Sequence, residues 1–142
     1  MRFAFLGNLQ GNPEQVTEEE ITLITIQLVV AIIFILTTTL STILTYDLYR
    51  KKTGQQPLFS DLTADHIDVD NHAIILALIL IMLFVNMNYV DIFEAKGKDT
   101  TNSKLQVLVT VITLIAGIIS FYISYQQASK PFDFSDVANP EV

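Results

Sequence analysis

The chain has 142 residues, enough for one domain; 51% of them are hydrophobic and only 16% are charged. Ordinary soluble proteins carry about 25% charged residues, so this composition argues against a water-soluble fold. A net charge of −7 disfavours nucleic acid as a partner, and the absence of cysteine excludes disulfides and zinc–thiolate sites.

The apolar residues are concentrated in three long stretches without charge, at 21–46, 71–90 and 105–129. Each is long enough to cross the hydrocarbon core of a bilayer, for which a helix needs about 20 residues. The apolar run that begins at Ile74 does not alternate as a strand of a membrane barrel would. The sequence therefore predicts an all-α membrane protein, with three transmembrane helices in a small bundle and short polar tails.

Polar residues mark the expected helix boundaries. Thr17 and Glu20 can form a capping box at the start of helix 1, and Asp70 or Asn71 can cap helix 2. The predicted segments are a polar N-terminal tail (1–16), transmembrane helix 1 (17–48), an acidic connecting loop (49–70), transmembrane helix 2 (71–93), a short loop (94–103), transmembrane helix 3 (104–128) and an acidic C-terminal tail (129–142).

Basic residues are expected on both sides of the membrane. The cluster 50–52 follows helix 1 directly, whereas Lys96, Lys98 and Lys104 flank the second loop. Basic loops are retained in the cytoplasm, so the two groups predict opposite orientations. We favour an N-terminus outside a cell (plasma) membrane, because the first cluster is tighter and the N-terminal tail is acidic.

Small and polar residues recur along two helices at alternating spacings of three and four. Such rows let helix backbones approach closely and form hydrogen bonds across the crossing, which is the interpretation we favour. The alternative is that the hydroxyl groups line a wet path through an oligomer. The polar row of helix 3 contains Thr110, Thr113, Gly117, Ser120 and Ser124, and that of helix 1 contains Thr38, Ser41 and Thr45.

Helix 2 carries two amides near its C-terminal end, Asn86 and Asn88. An amide in hydrocarbon requires a hydrogen-bonding partner. We expect that partner to be a neighbouring helix. The alternative is a bound ligand or ion.

Both histidines lie in one short polar stretch, where His66, Asp68, Asp70 and His72 alternate. In an extended strand the four share a face, and in a helix residues four apart pair with each other. Imidazole and carboxylate together can bind a divalent metal such as Zn, Cu(II), Ni or Mn. Histidine beside aspartate can also sense pH. The competing interpretation, which we favour, is a polar loop with helix-capping residues.

No catalytic motif accompanies these features. The chain lacks a glycine-rich phosphate loop with its lysine, and no serine stands in a nucleophile-elbow motif. The sequence predicts a non-enzymatic accessory or structural subunit of a larger membrane complex, whose partners are the lipid bilayer and other membrane subunits or copies of itself. Two alternatives stay open: a self-assembled small pore, and a metal-handling accessory subunit of a membrane metalloenzyme with a divalent metal as cofactor.

Overall fold

A computed structural model describes residues 17–129 of the chain, which form three α-helices. These are α1 (Glu18–Lys52), α2 (Asp61–Ala95) and α3 (Thr101–Ser129). Each helix is long and apolar enough to cross a membrane, which confirms the predicted all-α fold with three spans. The predicted tails, 1–16 and 129–142, lie outside the described residues except for Ser129, which ends α3.

The second helix is the centre of the fold. It packs against both α1 and α3, while α1 and α3 are not packed together along their lengths. The contacts described below show that each helix runs antiparallel to its neighbour in the chain. The described residues therefore form a single layer of helices, in which the two outer helices are covered on one side only.

The two interhelical turns begin with the same backbone hydrogen bond, from an N–H to the carbonyl five residues earlier. The N–H of Gln55 donates to the carbonyl of Arg50 at 2.8 Å, and the N–H of Lys98 donates to that of Phe93 at 2.9 Å. Between donor and acceptor lies a glycine with positive φ, 77° at Gly54 and 69° at Gly97. Glycine adopts this left-handed conformation without a steric penalty, so both helices end where the chain offers it.

The start of α1 follows the predicted capping box in part. The Thr17 hydroxyl accepts a hydrogen bond from the N–H of Glu20 at 3.3 Å. The Glu20 side chain does not reach back to the cap, because it pairs with Lys96 of the α2–α3 turn.

The start of α2 differs from the sequence prediction. Residues 49–70 were expected to form a loop, but α2 begins at Asp61 and the connection between the helices is 53–60. The Ser60 hydroxyl caps the helix by accepting from the N–H of Thr63 at 3.1 Å. No glycine or proline follows between Ser60 and Asn71, so the polar stretch stays helical and adds about 15 Å to α2. Asp70 and Asn71 consequently lie inside the helix and are not caps.

The third helix begins three residues earlier than expected, at Thr101 rather than at 104. The carboxylate of Asp99 accepts from the hydroxyl of Thr101 at 2.7 Å and from its N–H at 3.0 Å. These bonds, the hydroxyl first, hold the pKa of Asp99 below its usual value. A charged cap at the positive end of the helix dipole stabilises this start.

Two apolar clusters join α1 to α2. The cluster nearer the N-terminus of α1 contains Leu23, Val85, Tyr89, Ile92 and Phe93. The second, near the middle of both helices, contains Val30, Leu78 and Met82, with Ile33 and Phe34 of α1 packed against it. The polar side chains that join these helices lie on either side of this apolar centre.

Candidate functional site

A buried charged pair joins the N-terminal end of α1 to the end of α2. The carboxylate of Glu20, whose side chain has no exposed surface, forms an ion pair with the ammonium of Lys96. Two turns further along α1, the hydroxyl of Tyr89 donates to Oε1 of Gln27 at 3.0 Å. Glu20 Oε2 and Gln27 Nε2 are buried and have no hydrogen-bonding partner within the described residues. Both contacts join α1 to α2.

The other half of the α1–α2 interface contains a buried amide. The side-chain nitrogen of Asn71 donates to the hydroxyl of Ser41 at 2.8 Å and to the carbonyl of Thr37 at 3.2 Å. The side chains of Asn71 and Thr37 are almost entirely buried. An amide in lipid is stabilised by such a bond to a neighbouring helix, at about 0.6 kcal/mol on average.

Asp47, near the C-terminal end of α1, anchors the connection between α1 and α2. One carboxylate oxygen accepts from the N–H groups of Leu58 and Phe59, at 2.6 and 3.1 Å. The other oxygen pairs with Lys51 at 2.8 Å, and Lys51 also reaches Asp61 at 2.9 Å. This one carboxylate thus replaces the hydrogen bonds that two loop amides would otherwise make with water.

We expect an Asp47→Ala variant to loosen the 53–60 connection, because two loop amides lose their acceptor. In detergent micelles, trypsin should then cleave after Lys52 several times faster than in the native chain. The matched control is Asp61→Ala, which also removes a partner of Lys51 but leaves both loop hydrogen bonds in place. Equal cleavage rates for the two variants would show that Asp47 does not hold the connection.

The interface of α2 and α3 contains two polar contacts and a glycine between them. The amide nitrogen of Asn86 donates to the hydroxyl of Thr110 at 2.7 Å, and the hydroxyl of Ser124 donates to a carboxylate oxygen of Asp68. Midway between Thr110 and Ser124, a Cβ added to Gly117 would lie 3.1 Å from side-chain carbons of Leu76 and Ile79. The missing side chain at 117 is therefore what allows the helices to approach this closely.

The structure divides the predicted polar row of α3 between two environments. Thr110, Gly117 and Ser124 lie in the contact with α2, whereas Thr113 and Ser120 are exposed. The hydroxyl of Thr113 donates to the carbonyl of Val109 in its own helix, at 2.8 Å. The row is therefore wider than the surface that α2 covers.

On α1 the predicted row coincides only in part with the contact that forms. Ser41 reaches α2, but Thr38 and Thr45 are exposed, and the buried threonine is Thr37. The hydroxyl of Thr45 donates to the carbonyl of Ser41 at 2.9 Å. A threonine whose hydroxyl bonds the preceding turn needs no partner in another helix, so its position does not identify the packing face.

The two amides near the C-terminal end of α2 also differ in their surroundings. Asn86 is buried and binds Thr110 of α3, as expected for an amide in hydrocarbon. Asn88 is only half-buried and donates to the carbonyl of Phe84 in its own helix, at 2.8 Å. Of these two amides, Asn86 connects two helices and Asn88 bonds within its own.

The four residues of the Asp/His stretch do not converge on one point. Because the stretch is helical, Asp68 and His72 share one side of α2, while His66 and Asp70 lie on the other side. His72 Nδ1 lies 2.8 Å from the carbonyl oxygen of Asp68 and 3.4 Å from its carboxylate. Within residues 17–129, no group of three or more His, Asp or Glu side chains could hold a metal ion.

His66 and Asp70 border a shallow cavity of about 300 Å³ between α2 and the end of α3. The cavity is also lined by Val69, Tyr125 and Ala128. The four residues of the alternative metal site thus form one helix-internal pair and one pair at the edge of the cavity.

The sequence interpretation missed the contacts that link distant parts of the chain. Glu20 and Lys96 are 76 residues apart, and Gln27 and Tyr89 are 62 apart. Glu20, Leu23, Gln27 and Val30 follow each other at spacings of three and four, and all four are buried. This spacing could have identified the packing face of α1 from the sequence.

The fold defines the class of protein as a small α-helical membrane protein with three spans. No protein-family model matches the chain, and neither a curated protein nor a solved structure matches it. Its function is therefore argued from its own geometry.

Proposed function

We propose that the chain is a non-catalytic accessory subunit of a larger membrane complex, in which a helix of another subunit packs beside α3. The observation that supports this is the width of the polar row on α3. Successive residues of a helix are rotated by about 100°, so Thr113 and Ser120 lie on the flank next to the face that contacts α2. Small and hydroxyl-bearing residues on an uncovered flank suit close approach by another helix.

The use of the buried polar groups supports a structural role as well. Four buried polar side chains each contact another helix or turn of the same chain: Glu20, Gln27, Asn71 and Asn86. None of these contacts pairs a nucleophile with a base. The described part of the chain therefore uses its polar side chains to hold helices together, and it contains no group of three side chains fit for a metal.

The orientation in this proposal has the N-terminus outside a cell membrane. Three consecutive basic residues, 50–52, directly follow the first span. Basic residues close to the end of a span favour the cytoplasmic side. The turn between α1 and α2 and the end of α3 then lie in the cytoplasm.

The test is purification from native membranes in mild detergent, comparing the chain with a Thr113→Leu/Ser120→Leu variant. Leucine at both positions fills the uncovered flank but leaves the α2–α3 contact intact. We expect unlike subunits to accompany the native chain and to fall at least tenfold in the variant, which matches a loss of about 1.4 kcal/mol. Thr25→Leu is the matched control, since Thr25 is exposed on α1, which is not packed along α3.

Two outcomes would contradict the proposal. Unlike subunits retained equally by the flank variant and by the Thr25 control would show that the flank is not their binding surface. Homogeneous rings of this chain alone, together with leakage from loaded liposomes, would support the pore alternative instead.

A further inference from the structure

We propose that the C-terminal end of α1 binds the headgroup of an anionic phospholipid through Arg50 and Lys52. Between these two cations on the outer surface of α1 lie Tyr46 and Tyr49. With about 100° of rotation per residue, Arg50 falls on one side of the tyrosine pair and Lys52 on the other. The tyrosine pair faces away from α2, which contacts α1 through Ser41 and Lys51, and the two cations lie at the two edges of this outer surface.

The depth of these residues matches the headgroup layer. The uncharged stretch 21–46 spans about 39 Å as a helix, which exceeds the roughly 30 Å of hydrocarbon. Its last residue is Tyr46, so Tyr49, Arg50 and Lys52 follow in the layer of polar headgroups. Tyrosine is favoured there because its ring is apolar and its hydroxyl is hydrated.

The charges at this end of α1 are unequally neutralised. Lys51 contacts the carboxylates of both Asp47 and Asp61. In the part of the chain that the structure describes, no carboxylate lies within 4 Å of Arg50 or Lys52, which form none of its ion pairs. Two cations without a counter-ion beside an interfacial tyrosine pair are complementary to a lipid phosphate.

Arg50 is also held in position. Its Nε donates to the carbonyl of Gln56 at 2.6 Å, and Nη1 donates to the hydroxyl of Tyr46 at 3.4 Å. The guanidinium carbon lies 5.7 Å from the centre of the Tyr46 ring, and that ring stacks on Tyr49 with 6.2 Å between centroids. Nη2 has no hydrogen bond to the described residues, so its N–H groups can donate to phosphate oxygens. A guanidinium fixed in this way loses little freedom when it binds.

The basic residues at the opposite end of the bundle are engaged differently. Lys96 pairs with Glu20, Lys104 lies 3.6 Å from Glu94, and the ammonium of Lys98 lies 5.5 Å from the centre of the Phe93 ring. Carboxylates thus already face Lys96 and Lys104, and Lys98 is left as a single cation without an ion pair to the described residues. The preference for an anionic lipid is therefore expected at one end of the bundle only.

The test measures lipid binding to the purified full chain in mild detergent by native mass spectrometry. The probes are phosphatidylglycerol and phosphatidylcholine with identical acyl chains. We expect the native chain to prefer phosphatidylglycerol, and Arg50→Gln/Lys52→Gln to lower that preference by about 25-fold, since each of the two cations near a headgroup contributes about fivefold. The matched control is Lys98→Gln/Lys104→Gln, which removes the same charge at the other end and should retain the preference.

Helical circular dichroism establishes that each variant is folded. Lys52→Gln alone is the second variant, because Lys52 is exposed and removing its charge breaks no ion pair within residues 17–129; we expect a loss of about fivefold. An unchanged preference in the Arg50/Lys52 variant, or an equal loss in the Lys98/Lys104 control, would overturn the proposal. Displacement of the lipid by excess inorganic phosphate would also overturn it, because the site would then be one for small anions.

Discussion

Replacing Lys96 by methionine should lower the free energy of unfolding by about 3–5 kcal/mol, the usual cost of removing one partner of a buried ion pair. The variant leaves the carboxylate of Glu20 in a position with no exposed surface and without its ammonium partner. Because Glu20 Oε2 has no partner within the described residues, little else there compensates the charge. The measurement is loss of helical circular dichroism as SDS is titrated into detergent micelles.

The two single substitutions of the Glu20–Lys96 ion pair should lower the free energy of unfolding by different amounts. Glu20→Gln leaves Lys96, whose side chain is 17% exposed and long enough to reach water, so this variant should be much less destabilised. The double variant Glu20→Gln/Lys96→Met should recover most of the loss, because it buries no charge. Lys104→Met is the control for charge alone, since its contact with Glu94 is exposed and worth at most about 1 kcal/mol. A Lys96→Met variant no less stable than Glu20→Gln would refute this account.

Gly117→Leu should destabilise the chain by about 1–3 kcal/mol, because the α2–α3 contact has no room for a large side chain. A Cβ at 117 already lies 3.1 Å from Leu76 Cδ2 and Ile79 Cδ1, and leucine adds three more carbons. We expect the helices to separate at this point, which also weakens the hydrogen bonds of Thr110 and Ser124 two turns away on each side. The same unfolding titration measures the effect.

Two further substitutions define how specific this contact is. Gly117→Ala should change stability by less than about 1 kcal/mol, because the two methyl groups it meets are at the ends of flexible side chains and alanine favours the helix. Ala116→Leu places the same bulk on the neighbouring, exposed residue of α3 and should stay within about 0.5 kcal/mol of the native chain. If Ala116→Leu were as destabilising as Gly117→Leu, the helix approach at 117 would not be the cause.

The existence of the three spans could be predicted from the sequence because exclusion of charge from lipid acts on each stretch alone. The boundary at Asp61 could not, since a polar segment can be a loop or a helix outside the membrane. Its helical state depends on the cap at Ser60 and on packing against other helices, including the contact of Asp68 with Ser124. The cap is local, but the contact of Asp68 with Ser124 joins residues that are 56 apart in the chain.

The polar row of α3 shows how much of a helix contact can be predicted from residue spacing alone. A row at spacings of three then four and a row at spacings of four then three share every seventh position, so Thr110, Gly117 and Ser124 belong to two neighbouring faces of the helix. The sequence identified these three because both faces contain them, but it could not decide on which flank α2 lies. The structure shows that α2 covers the flank away from Thr113 and Ser120.

The apolar cluster of Val30, Leu78 and Met82 has a consequence for transport. A hydrated ion that entered beside Gln27 would meet only hydrocarbon side chains before it came to Asn71 at the far end of the α1–α2 interface. We therefore expect the α1–α2 interface of a single copy to conduct no ions, so that any current would need another route.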